Sequence, residues 1–286
     1  MAVSIAHLGP SGTYAEAAAL VYSNWLAQSF QQEALLCPYP SIAQTLNAVA
    51  LQQADLAVVP IENSIEGSVT MTLDTLWILD KLQIQRALIL PISHALMSHA
   101  TKIESIQTIY SHPQALAQCQ AWLERHRPNA QLIPTNSTTE ALQQLEHDRQ
   151  AGAISSQRAA LLYKVPILAH PINDHPDNCT RFWVLGLQPS PGGSHASLAF
   201  SVHDMPGSLV KPLDIFAQQG INLSRIESRP TKRSLGDYLF FIDLEADTRQ
   251  SFVQSALEEL RHHTDTLKVL GCYDILPKSI VDLANL

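Results

Sequence analysis

Charge is scarce in this chain. Of 286 residues only 15% are Asp, Glu, Lys or Arg, the net charge is −8, and no basic cluster is longer than Lys232–Arg233. A nucleic acid is held by a basic face, so it is not expected as a partner. An anionic small molecule must be captured by local donors, not by the field of the whole protein. Cysteine is scarce as well: Cys37, Cys119, Cys179 and Cys272 are scattered with no C-x-x-C pair, which signals neither zinc nor a disulfide framework. The twelve histidines include the doublet His262–His263 but no H-x-x-x-H pair on a convincing helix, so no metal is expected. No apolar run approaches the about 20 residues of a membrane span, and MAVSIAHLG shows no basic leader ahead of an apolar segment. The expectation is a cytoplasmic protein with reduced cysteines and no membrane association.

What is present is core material. Hydrophobic residues make up 46%, and the length suits two or three units. The first two thirds alternate short apolar runs with helical patterns. VSIAHLG (3–9), DLAVVP (55–60), IQTIYSHP (106–113), QLIPT (131–135) and GAISS (152–156) read as buried strands. Ser41 and Ser137 stand as caps before helical stretches. This alternation predicts a mainly parallel α/β arrangement, with a ligand beyond the strand C-terminal ends and near helix N-termini. QPSPGGSH (188–195) reads as a linker. The unit after it reads strand Leu198–His203, helix Pro206–Gln219, strand Ile221–Glu227, strand Tyr238–Ala246, helix Arg249–His262 and strand Thr266–Tyr273. That βαββαβ order is the ferredoxin-like plan.

Several polar segments fall at strand-to-helix junctions. In HLGPSGTYAEAAAL (7–20), Ser11 or Thr13 can cap a helix, with Glu16 completing a capping box. In VVPIENSIEGSV (58–69), Glu62, Asn63 and Ser64 follow a buried strand. In YSHPQALAQCQAWL (110–123), Ser111 and His112 precede a proline suited to the first helical position. GAISSQRAA (152–160) pairs Ser155 with Ser156. Each alone suits an ordinary capped helix or Asx turn; together they converge on one expected sheet edge. In DNCTRFWVLG (177–186), strand alternation points Thr180 and Phe182 one way and Arg181 and Trp183 the other.

GPSGTYAEAA, VPIENSIEGSV, SHPQALAQC, AISS and DNCTRFWVLG, in that order, resemble the prephenate dehydratase family. HDMPGSLVKPLDIFAQQGINLSRIESRP is similar to the ACT regulatory domain of that family, with Ser208 where its loop has alanine. The resemblance implies a catalytic part, residues 1–187, of two α/β subdomains around a cleft, similar to periplasmic binding proteins. The first subdomain would comprise 1–80 and 171–187, the second 81–170. The linker (188–195), an ACT domain (196–276) and a tail (277–286) would follow. It implies that prephenate loses CO2 and water to give phenylpyruvate in phenylalanine biosynthesis, without cofactor or metal. Thr180 is the implied catalytic residue. Thr13, Asn63, Ser64, Ser111, His112, Gln114, Ser155, Ser156, Asn178, Arg181 and Phe182 are candidate substrate contacts. Phenylalanine would bind between paired ACT domains, in a homodimer or homotetramer, through Gly207, Ser208, Leu209, Val210, Asn222, Glu227, Ser228, Arg229 and Pro230.

The chemistry accepts these residue types. A bidentate arginine on the departing carboxylate would stabilise the ground state, and only differential transition-state binding accelerates a reaction. Neutral hydroxyls and amides suit such a site. Thr180 is the natural donor to the leaving hydroxyl, and Glu62, if burial raised its pKa, could supply or relay the proton. Arg181, pointing away in an ideal strand, is expected to support the loop. Two alternatives share the motifs: an arogenate dehydratase, and a non-catalytic keto-acid or amino-acid sensor.

Overall fold

The computed structural model describes residues 2–232 and 237–281; Arg233 and residues 282–286 of the expected tail lie outside the described residues. The chain begins with β1 (Val3–Leu8), α1 (Tyr14–Phe30), β2 (Ala34–Tyr39), α2 (Ile42–Ala50), β3 (Leu56–Asn63), β4 (Gly67–Ser68), α3 (Thr70–Ile78) and β5 (Gln83–Pro91). It then builds β6 (His94–Met97), β7 (Thr108–Ser111), α4 (Pro113–Ala117), α5 (Gln120–His126), β8 (Gln131–Pro134), α6 (Glu140–Gln144), β9 (Gly152–Ser156), α7 (Gln157–Tyr163) and β10 (Ile167–Ala169). β11 (Cys179–Gly186) returns to the first sheet, whose order is β2-β1-β3-β11-β5, with β4 paired to β3. The second sheet runs β10-β6-β9-β7-β8.

Both sheets are mixed rather than mainly parallel. β1 runs parallel to β2 and β3, but β11 is antiparallel to β3 and β5, and β6 is antiparallel to β9 and β10. Because β5 pairs with β11, the chain leaves the first sheet after Pro91, not near residue 80. Local signals place the helices. Thr13 Oγ1 accepts from Glu16 N at the start of α1, and Ser41 Oγ accepts from Gln44 N at the start of α2. The Glu16 carboxylate does not complete the expected capping box on Thr13. It accepts instead from Gly12 N at 2.7 Å and pairs with Arg158 of α7. Ser156 donates to Gly12 O across the same junction. Gly12 has φ +90°, and a Cβ there would meet Thr139 Cγ2 at 3.0 Å, so the two subdomains close on each other only over a glycine.

The C-terminal unit comprises β12 (His195–Ser201), α8 (Val210–Gln218), β13 (Leu223–Pro230), β14 (Tyr238–Leu244), α9 (Ser251–Arg261) and β15 (Thr266–Tyr273), with sheet order β13-β14-β12-β15. The βαββαβ plan holds. α8 begins at Val210 rather than Pro206, because Met205–Leu209 form a turn with Gly207 at φ +83°.

This unit is not tethered loosely. Ala199, Leu239, Phe241, Leu270 and Tyr273 share one buried cluster with Leu46, Ile61, Leu73, Leu76 and Trp183 of the first subdomain. The linker is docked: Ser190 Oγ donates to Ile84 O, and Gly192 N to Cys272 O. The chain beyond β15 is anchored as well, with Leu276 and Val281 buried among α1 residues on the opposite face of the first sheet. Among the described residues no helix is long and apolar enough to cross a membrane.

Candidate active site

A cleft of about 640 Å3 lies between the two subdomains. The first contributes Leu8–Pro10 and Thr13–Ala15 from the β1–α1 junction, Pro60 and Asn63 from β3, and Thr180 and Phe182 from β11. The second contributes His94, His112, Gln114, Gln118, Asn136–Thr138, Glu140 and Gln143. No Lys or Arg stands among the described lining residues. The N-terminus of the 17-residue helix α1 opens at this wall, with the Glu16 carboxylate already accepting from Gly12 N beside it.

One hydrogen-bonded network crosses the floor, and its directions are determined. Asn63 Oδ1 accepts from the backbone N–H groups of Ile65 and Glu66. The Asn63 amide nitrogen must therefore face the other way, where it donates to Thr180 Oγ1 at 2.9 Å and Asn178 Oδ1 at 2.8 Å. Asn178 Nδ2 donates to Gln118 Oε1, which also takes His94 Nε2 at 2.9 Å, while Gln118 Nε2 reaches Glu66. Since Thr180 Oγ1 is an acceptor toward Asn63, its own proton is free to donate elsewhere. Burial lowers the pKa of His94, and also of His112, where Glu66 opposes the shift; both rings are neutral at pH 7. His112 Nδ1 accepts from Gln114 N at the start of α4, so the His112 proton sits on Nε2. Burial pushes the Cys119 thiol behind this wall up to about 12, which keeps it an inert thiol.

Residues 5–190 match the family model described as prephenate dehydratase, and residues 196–262 match that of the ACT domain. The chain belongs to the prephenate dehydratase family. It is 40% identical over 282 residues to the bifunctional chorismate mutase/prephenate dehydratase of Aquifex aeolicus, covering 98% of this chain and 75% of that protein. It is 35% identical over 282 residues to the prephenate dehydratase of Lactococcus lactis subsp. cremoris, covering 96% of this chain and 98% of that one. A solved prephenate dehydratase from Arthrobacter aurescens, in complex with L-Phe, superposes with a TM-score of 0.85 at 35% identity over 95% of this chain and 90% of that chain. Prephenate dehydratases are lyases that take CO2 and water from prephenate to leave phenylpyruvate.

Within this dehydratase frame the expected contacts separate into groups. Thr13, Asn63, His112, Gln114, Thr180 and Phe182 line the cleft. Asn178 and Ser64 stand behind it: Asn178 in the network, Ser64 Oγ taking Cys179 N and donating to Asn178. Three serines are held back from the cleft. Ser111 donates to Ile154 O, Ser156 caps α7, and Ser155 is fully buried. The Ser111 and Ser156 hydroxyls serve the second sheet and its junctions, while Ser155 Oγ has no hydrogen-bond partner among the described residues.

Glu62 and Arg181 do not reach the cleft. Arg181 Nη2 contacts Glu62 Oε2 at 2.8 Å and Asp243 Oδ2 of β14 at 2.6 Å. The register explains both. β11 alternates regularly here, so Thr180 and Phe182 face the cleft while Arg181 and Trp183 face the C-terminal unit. β3 carries a bulge: Arg181 pairs with Glu62 and Phe182 with Pro60, leaving Ile61 extra. Strict alternation from Pro60 would put Glu62 in the cleft; the extra residue turns it away and brings Asn63 in. Asp243 and the other acids raise the Arg181 pKa against its burial. The sequence reading missed His94, Gln118, Tyr14, Glu140 and Asn136–Thr138. Gln118 and Tyr14 lie inside the quoted motifs, but helix residues carry no signal of which face meets a second subdomain.

In the ACT domain, Glu227 accepts from Ser68 Oγ at 3.0 Å, and Arg229 makes two 3.0 Å bonds to Asp74 of α3. These side chains are engaged with the catalytic part. Asn222 donates to Glu245. Gly207, Ser208 and Leu209 form the turn before α8, Val210 opens the helix, and Ser228 and Pro230 lie on the edge strand β13.

Proposed function

We propose that Thr180 donates the hydrogen bond that carries the prephenate hydroxyl away as water. The observation that carries this is the Asn63-to-Thr180 bond, which directs the threonine proton away from the protein amide and leaves it for the ligand. A threonine is too weak an acid for full proton transfer, so its part is electrostatic, strengthening as charge develops on the departing oxygen. His112, with its proton on Nε2, is the second directed donor on the cleft wall. Neutral donors hold the substrate carboxylates without a bidentate cation, so the ring carboxylate is not over-stabilised before it leaves. The reaction belongs in the cytoplasm, where aromatic amino acids are made.

The ACT match and the L-Phe complex of the Arthrobacter aurescens protein support phenylalanine as effector. Among the described residues β13 ends its sheet with one edge free, and Ile226 on it and Tyr238 opposite Pro230 are exposed, which suits pairing of two ACT domains in a homo-oligomer. The test is one assay of Thr180→Ala and the parent chain on prephenate and on arogenate, each with and without phenylalanine, with folding checked by circular dichroism. A fall below about tenfold in the folded variant, roughly 1.4 kcal/mol, rejects the role of Thr180. Preference for arogenate rejects prephenate as the substrate.

A further inference from the structure

A guanidinium has five N–H donors, and buried polar groups are normally paired. Arg225, on β13 of the ACT domain, departs from this. Its side chain is 5% exposed, and Nη2 donates to Ser68 Oγ at 2.9 Å. Nε and Nη1 have no hydrogen-bond partner among the described residues. Two carboxylates pair with it as ions without a hydrogen bond: Glu62 Oε1 lies 3.9 Å from Nε, and Asp243 Oδ2 lies 3.5 Å from Nη1.

These neighbours flank Thr180 from both sides. Ser68 belongs to β4, where it pairs with Glu62 while Gly67 pairs with Asn63, and Asn63 holds the Thr180 hydroxyl. Glu62 and Asp243 together hold Arg181, the next residue along β11. Asp243 is fixed on its other oxygen by Ser197 at 2.7 Å. Arg225 shares both carboxylates with Arg181, and its Nε and Nη1 would gain hydrogen bonds by a small displacement toward them.

We propose that Arg225 is a positioning residue of the dehydratase site, holding β4 and β3 so that Asn63 keeps Thr180 in place, and that movement of β13 onto Glu62 or Asp243 releases that hold. The regulatory half rests on the reading that the ACT domain senses phenylalanine; the positioning half does not.

The experiment compares full-length Arg225→Met with the parent chain on prephenate without effector. The expected result is a kcat lower by about tenfold with KM within about twofold, and partial recovery of kcat in Arg225→Lys. An unchanged kcat, or a loss matching the unfolded fraction seen by circular dichroism, overturns the proposal. If Arg225→Met does not fold, Ser68→Ala removes the Nη2 bond instead, and an unchanged kcat there overturns it equally. With phenylalanine added, Arg225→Met binds it in equilibrium dialysis while its kcat response shrinks to under half that of the parent. If the parent binds no phenylalanine, the sensor reading and the regulatory half fail, and the kcat comparison alone decides positioning.

Discussion

Asn63 donates through Nδ2 to Thr180 Oγ1 at 2.9 Å, with its carbonyl tied down by two backbone N–H groups. That bond makes the threonine an acceptor on one side and a donor on the other. Asn63→Asp reverses it. The new carboxylate draws the Thr180 proton to itself and faces Asn178 Oδ1 and Cys179 O, both acceptors. The expected outcome is a kcat lower by on the order of a hundredfold, the scale of losing one hydrogen-bond donor aimed at developing charge. Steady-state kinetics with circular dichroism on the same sample checks it.

Glu62 and Thr180 lie on opposite sides of the first sheet. Glu62→Gln is therefore expected to keep activity within about tenfold of the parent, roughly 1.4 kcal/mol, and to leave in place any fall of kcat toward alkaline pH, the limb on which a proton donor titrates. Loss of that limb would restore Glu62 as a proton source.

Asp243 is 1% exposed and holds Arg181, itself 13% exposed, with Arg225 close by. Asp243→Ala leaves two buried guanidinium groups with Glu62 as the nearest acid. Breaking such a buried pair costs about 3–5 kcal/mol. A lower urea midpoint for the whole chain is expected, because the pair sits in a core shared by the ACT domain and the first subdomain. Loss of the ACT transition alone would show that the two unfold separately.

Burial lowers the pKa values of His7, His94, His112 and His170 from the usual 6.5. The unfolded chain then binds more protons than the folded one as pH falls below that value, so stability rises with pH across this window. The contribution is present above pH 6.5 and is lost toward the lower folded values, most steeply for the well-buried His94 and least for the exposed His170. Urea unfolding at pH 7.5 and 5.5 is expected to show lower stability at the acid pH, with a shallower slope in His94→Gln.

Much of the fold was legible in residue order. Thr13, Ser41 and Pro113 announce helix starts because caps act within one turn of chain. The ferredoxin-like unit reads correctly because its strands and helices differ in period. Alternation along β11 was local enough to separate Thr180 from Arg181. What stayed hidden depends on partners distant in sequence. The extra residue in β3 exists only against the regular register of β11, and it exchanges Glu62 for Asn63 at the cleft. Gln118 and His94 join the site because the second subdomain folds over the first at Gly12.

The sequence by itself determined the elements, their order, and the supply of neutral donors at strand ends, since these rest on propensity, capping and side-chain chemistry. Tertiary structure decided which donor faces the cleft. It also decided that Arg181, Arg225 and Arg229 meet carboxylates across the contact between the ACT unit and the first subdomain. A buried charge takes whatever acid the fold brings within reach, and Asp243 and Asp74 reach these arginines only once the ACT sheet packs against the first subdomain.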